Sequence, residues 1–114
     1  MCPAANPGEI LVVEDPMIQK LVQGVLSRQG YVVTGLSAAE ALEQLRHEDN
    51  RFVLITNRPE AFLPLTEITP LLYISGCPDQ RLAARFAHCR CLLKPFRPKE
   101  LVEAVRELAG VAVL

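Results

Sequence analysis

The chain has 114 residues, half of them apolar and 22% charged, which suits one compact hydrophobic core and excludes a disordered chain. Twelve Lys and Arg against thirteen Asp and Glu give a formal net charge of −1, which argues against a broad electrostatic binder of nucleic acid. The longest apolar run near the N-terminus, Ile10 to Val13, is far too short for a membrane span or a signal-peptide core.

Met1 to Gly8 has no periodicity and reads as a tail, leaving a domain over 9–110 and a short C-terminal tail over 111–114. Glu9 to Glu14 is a short β-branched run that ends in acids, the pattern of a strand buried on both faces. Pro16 suits a first helical turn. Ile18, Leu21, Val22, Val25 and Leu26 then form one apolar stripe, and Gly30 sits where a helix C-cap belongs.

Tyr31 to Thr34 reads as a second strand. Ser37 and Glu40 form a capping box ahead of a helix whose stripe is Ala38, Ala41, Leu42 and Leu45. His47 to Arg51 is a polar connector, and Phe52 to Thr56 a third strand. Pro59, Pro64 and Pro70 leave room for one helical turn at most, near Pro59 to Phe62, so the third helix is shortened or missing. Leu71 to Ser75 is a fourth strand. Pro78 to His88 is read as a fourth helix with Leu82, Ala83 and Phe86 inward, Arg90 to Leu93 as a fifth strand, and Pro98 opens a last helix ended by Gly110. Its inner face is Leu101, Val102, Val105 and Leu108. Phe86, Phe96 and Val102 are expected in the core.

Alternating strands and helices imply a parallel sheet covered on both faces. In such sheets the working site lies at the carboxyl ends of the strands. There Glu14 and Asp15 supply two carboxylates, Ser75 a hydroxyl and Lys94 an ammonium. Adjacent carboxylates suit a hard divalent cation such as Mg²⁺, and a lysine beside a hydroxyl suits an anion such as a phosphoryl group. Of the four cysteines, Cys2, Cys77, Cys89 and Cys91, no pair has zinc-like spacing. They read as free thiols of a reducing, cytoplasmic compartment, with Cys89 and Cys91 as small strand hydrophobes. His47 and His88 read as surface residues. Arg81, Arg85, Arg90, Arg97 and Lys99, with Lys94, are read as a basic face that docks an acidic partner.

Ile-Leu-Val-Val-Glu-Asp-Pro (10–16), Gly-Tyr-Val-Val (30–33), Ser-Ala-Ala-Glu-Ala-Leu (37–42), Leu-Tyr-Ile-Ser-Gly (72–76) and Leu-Leu-Lys-Pro-Phe (92–96) together resemble the receiver domains of bacterial response regulators. The resemblance runs from about Glu9 to Leu108. It implies an α/β, flavodoxin/CheY-like fold, a five-stranded parallel sheet of order 2-1-3-4-5 with helices on both faces. It further implies an acidic Mg²⁺ pocket at Glu14 and Asp15, a switch hydroxyl at Ser75, a phosphoryl-contacting lysine at Lys94 and a cis bond before Pro95. Two departures stand out. The phosphoacceptor position falls on Thr56, or on Asn57 if the alignment shifts by one, and neither can form an acyl phosphate. The switching-aromatic position holds Cys91. With one carboxylate missing, Mg²⁺ binding is expected to be weak and no cofactor required.

The expected function is therefore an atypical, non-enzymatic receiver in two-component phosphorelay signalling. It would act as a phosphorylation-independent interaction module. Its partners would be a kinase, output domain or regulator, or a second copy through the face of the fourth helix, fifth strand and fifth helix. No direct nucleic-acid or membrane partner is expected. Two alternatives remain. A small flavodoxin-like enzyme or anion-binding domain would use the same cleft, but the loop Glu14-Asp15-Pro16 is acidic and glycine-free and repels phosphate. A structural dimerisation domain would bury Val111 to Leu114 against a partner.

Overall fold

The computed structural model describes residues 9–47, 53–65 and 70–113. Five strands, β1 (Glu9–Val13), β2 (Val32–Gly35), β3 (Val53–Thr56), β4 (Leu71–Ser75) and β5 (Cys89–Leu93), form one parallel sheet in the order β2-β1-β3-β4-β5. Ile10 lies between Val33 and Val53, and Ser75 pairs with Leu93. The chain therefore reverses direction across the sheet after β2, and β1 and β3 meet at the centre with their carboxyl ends level. The proposed N-terminal tail, Phe52 and the connector acids Glu48 and Asp49 lie outside the described residues.

Helices α1 (Pro16–Ser27) and α4 (Pro98–Val113) share one face of the sheet with an aliphatic core of Val22, Leu26, Leu101, Val105 and Leu108 against Ile10, Val12, Ile55 and Ile74. Asp15 caps α1, its Oδ1 accepting from the Ile18 amide at 3.2 Å, with Pro16 behind it. After α1, Gly30 takes φ +93°, a left-handed turn that favours glycine. Leu21, expected inward, is 45% exposed. It lines a cavity with Ile18 and the Lys94-Pro95-Phe96 loop instead of packing into the sheet.

The opposite face is covered by α2 (Ala38–His47), a 3₁₀ segment (Pro59–Leu65) and α3 (Gln80–Ala83). The capping box before α2 is formed on both sides: Glu40 Oε1 accepts from the Ser37 amide at 2.9 Å and Ser37 Oγ from the Glu40 amide at 3.2 Å. Those bonds lower the Glu40 pKa, the Ser37 amide more than its hydroxyl. The 3₁₀ segment contains Pro64 and is kinked at Phe62, whose ring is fully buried. Phe62, Tyr73 and Phe86 fill this second core with Leu11, Leu45, Leu54 and Leu71.

Three helix boundaries differ from the sequence expectation. The segment after β3 runs past Phe62 to Leu65, because the kink at Phe62 starts a fresh turn in which Pro64 needs no N–H donor. The fourth helix is a single turn, capped by Asp79 Oδ1 on the Arg81 and Leu82 amides, and the chain continues to His88 through four-residue turns in which the Arg85 and Phe86 amides donate to the Leu82 and Ala83 carbonyls. A helix running to His88 would leave no residue to turn into β5, which starts at Cys89. The last helix does not stop at Gly110 but runs to Val113. Gly110 tolerates the interior of a helix at a modest cost, and the buried Leu108 and Ala109 carry the packed face up to it. No described helix is long and apolar enough to cross a membrane.

Candidate functional site

The carboxyl ends of β1, β3, β4 and β5 converge on one cleft. Glu14 follows β1, and its side chain is completely buried. Its Oε1 accepts from the Asp15 amide at 3.1 Å, and its Oε2 lies 3.4 Å from Lys94 Nζ. That ammonium is within ion-pair range but off the hydrogen-bond direction, and Oε2 has no hydrogen-bond donor among the described residues. A buried carboxylate needs a counter-charge, and Lys94, whose side chain is 30% exposed, is that counter-charge here. The strands bring them together: the Lys94 amide donates to the Ser75 carbonyl at 3.0 Å, tying the end of β5 to the end of β4. The next peptide bond, Lys94–Pro95, is cis.

The end of β3 is divided between two residues. Thr56 pairs with Val13 in the sheet, is fully buried, and accepts from the Arg58 amide at 3.0 Å through Oγ1. Asn57 is half-buried and lines a cavity of about 320 Å³ with Glu14, Asp15, Ser37 and Arg58. Asn57, not Thr56, thus lies beside the acidic pair. Ser75 is half-buried, and its Oγ accepts from the Cys77 amide at 3.0 Å, so the hydroxyl is engaged in its own turn.

No family model and no curated protein matches the chain. Solved structures do. A chemotaxis response regulator of Vibrio cholerae matches with a TM-score of 0.74 and 21% identity, over 89% of this chain and 98% of that one. A response regulator receiver protein of Sinorhizobium medicae matches with a TM-score of 0.71 and 23% identity, over 92% and 97%. The signal receiver domain of an HD domain-containing protein of Pseudomonas fluorescens matches with a TM-score of 0.71 and 22% identity, over 94% and 90%. The chain has the receiver-domain fold.

Within that fold the remaining site residues can be placed. A Mg²⁺ ion does not fit the donors as they stand. Glu14 is paired with Lys94, Asp15 caps α1, Arg58 lines the same cavity, and no three His, Cys, Asp or Glu among the described residues come together to hold a metal. Mg²⁺ requires near-octahedral oxygens, and two carboxylates already engaged elsewhere do not supply them. Cys91 is half-buried and packs with Cys89 against the aromatic core. Burial, followed by the neighbouring Cys91 sulfur, pushes the Cys89 thiol up to about 12, and burial raises Cys91 as well. Both are protonated packing groups at neutral pH. Cys77 is exposed, His88 is exposed, and Cys2 lies outside the described residues.

The basic residues read as one docking face meet different neighbours. Lys94 is turned to Glu14, Arg90 pairs with Glu107 of α4, and Lys99 lines a groove against α1 instead. Arg81 on α3 and Arg85 just after it remain exposed. Sequence spacing could not show this, because Glu14, Glu107 and α1 come from distant parts of the chain. Arg58 is the residue of the cleft that sequence reasoning missed. Its place two residues past the end of a central strand was the available signal, since such loops line the cleft in parallel sheets.

Proposed function

We propose that the chain is a degenerate receiver module of two-component phosphorelay signalling, acting through contact with other signalling proteins and not through Asp phosphorylation. The reading is supported by one observation above all. The end of β3 offers the buried Thr56 and the amide Asn57 beside the Glu14–Lys94 ion pair, where an acyl phosphate would need a carboxylate nucleophile. Lys94 is neutralised by Glu14 and needs no incoming phosphoryl group to balance its charge. On this reading the protein is not an enzyme, works in the cytoplasm, and needs no metal.

Incubation with acetyl phosphate and Mg²⁺, followed by intact mass measurement, tests this. The expected result is no gain of a phosphoryl group. A hydroxylamine-sensitive phosphoryl adduct would overturn the reading.

A further inference from the structure

β5 is an edge strand of the sheet, and its side chains alternate between the two faces. On one face Arg90 pairs with Glu107 of α4 and Leu92 enters the aliphatic core. On the other, Cys89 and Cys91 pack on the aromatic core, on the side that carries the one-turn α3. Both thiols are free, and both are half-buried, not enclosed. Their sulfurs lie within hydrogen-bonding reach of each other. The function proposed above makes no use of this pair.

Strand geometry decides what can join the two sulfurs. Residues two apart on a strand have Cα atoms about 6.6 Å apart, at about 3.3 Å per residue, and their Cβ atoms point the same way. A disulfide needs Cβ atoms about 3.5–4.5 Å apart, so a direct S–S bond would require β5 to buckle. A single ion seated between the sulfurs bridges them with the strand in place. Among the described residues no third His, Cys, Asp or Glu joins the pair, the neighbouring exposed His88 included. Met17, the one described methionine, lies on α1 across the sheet. Structural zinc and iron–sulfur centres take four ligands, which two thiols do not supply. Hard cations such as Mg²⁺ and Ca²⁺ require oxygens. Of the first-row ions that select thiolates, Cu(I) remains, a closed-shell ion that accepts two sulfurs in line.

We propose that Cys89 and Cys91 form a two-coordinate site for Cu(I). Binding exchanges two S–H bonds for two Cu–S bonds. Each sulfur keeps its electron pair, two protons leave to water, and a bis-thiolate of net charge −1 remains. Copper and sulfur keep their oxidation states, so the step needs no oxidant or reductant. Burial holds both thiols protonated without the ion, and the metal displaces those protons as it binds. The remaining charge sits at a part-exposed edge of the sheet, where water reaches it. The site uses no residue of the cleft and does not rest on the receiver reading, so the phosphorylation test and this one fail separately.

The test is an anaerobic titration of the full chain, in a Cys2→Ser, Cys77→Ser background, with Cu(I) supplied as its bicinchoninate complex, whose colour reports the copper lost. The expected result is saturable transfer of Cu(I) to a monomeric chain, with thiolate-to-copper absorption in the near ultraviolet. Cu(I) is diamagnetic, so amide NMR should show shifts centred on Cys89, Arg90 and Cys91 and on their strand partners Leu71 and Tyr73. Those shifts need no substitution in the pair and decide the matter even if a variant unfolds. Cys89→Ala and Cys91→Ala should each weaken transfer on the order of a hundredfold or more, since even outer-shell changes approach that loss. No transfer from bicinchoninate, or full transfer to the Cys89→Ala, Cys91→Ala double variant, would overturn the proposal. So would Zn²⁺ uptake of equal strength, because the site would then hold further ligands. A copper-dependent dimer in sedimentation would overturn it too, because the two thiols would then come from different chains.

Discussion

The two faces of the sheet are covered by different means. On one, α1 and α4 are full helices over an aliphatic core. On the other, only α2 is a full helix, and a 3₁₀ segment and a one-turn α3 stand where longer helices are expected in alternating α/β chains. Phe62, Tyr73 and Phe86 make up the missing cover. Large rings bury about 150–250 Å² each, so a short element that carries one covers more of the sheet than its length suggests. A shortened crossover can thus be tolerated if it delivers an aromatic side chain to the sheet. The cleft sits where the two kinds of cover meet, with Asp15 and Lys94 next to the full helices and Asn57 and Arg58 at the start of the shortened segment.

The largest expected effect tests that comparison. Phe62→Ala should cost about 3–5 kcal/mol in urea unfolding. A loss below about 1 kcal/mol would mean that the 3₁₀ segment is a loose loop and that the face needs no aromatic cover. Next, Lys94→Met removes the counter-charge of the buried Glu14 and should destabilise by about 2–3 kcal/mol. The double variant with Glu14→Gln should recover part of that loss. If the single and double variants unfold alike, the pair contributes nothing as a pair.

A further pair of variants separates the two residues at the end of β3. Thr56→Asp places a charge at a buried position and should lower the melting temperature sharply. Asn57→Asp adds a carboxylate to the cavity with Glu14 and Asp15, and should leave the fold intact while creating Mg²⁺ binding visible by NMR. Equal tolerance of both would contradict the division of roles between them.

Titration gives a gentler probe. The Cys89 thiol is raised from 9.0 to about 12 on folding. Its contribution to stability is therefore complete below about pH 9 and lost as pH rises toward 12, and Cys89→Ala should flatten that alkaline decline. Glu40 is shifted the other way. Its folded pKa is lowered from 4.5, so the capping box contributes above that value and is lost as pH falls through the folded pKa, an acid limb that Glu40→Gln should remove. Least in energy is thiol reactivity. In a Cys2→Ser background at pH 8, the exposed Cys77 should react with a disulfide reagent on the order of tenfold faster than Cys89 or Cys91.

Local signals carried far in this chain. β4 runs over the expected residues, β1 stops one residue early, and the Ser37–Glu40 box and the Gly30 turn follow from chemistry within a few residues. The pattern Leu82, Ala83, Phe86 did not fix α3, because it fits a long helix and a single turn followed by four-residue turns equally well. Gly110 misled for a related reason. Propensity marks it as a stop, and the packed face of α4 overrides it. In the site, residue types at strand ends were legible, but burial was not. Nothing in the order Glu14-Asp15 says that the first is enclosed and paired to Lys94 while the second caps a helix. Nor did spacing show that Lys99 and Arg90 point to different neighbours.

On the proposed reading the Glu14–Lys94 ion pair closes the cleft, which then takes no phosphoryl group. Amide NMR of the full chain, titrated with millimolar Mg²⁺ and then beryllofluoride, tests it most directly. No saturating shifts are expected at Glu14, Asp15, Asn57, Ser75 or Lys94. Saturating shifts at those residues would contradict it, because Lys94 would then have left Glu14 for a phosphoryl mimic.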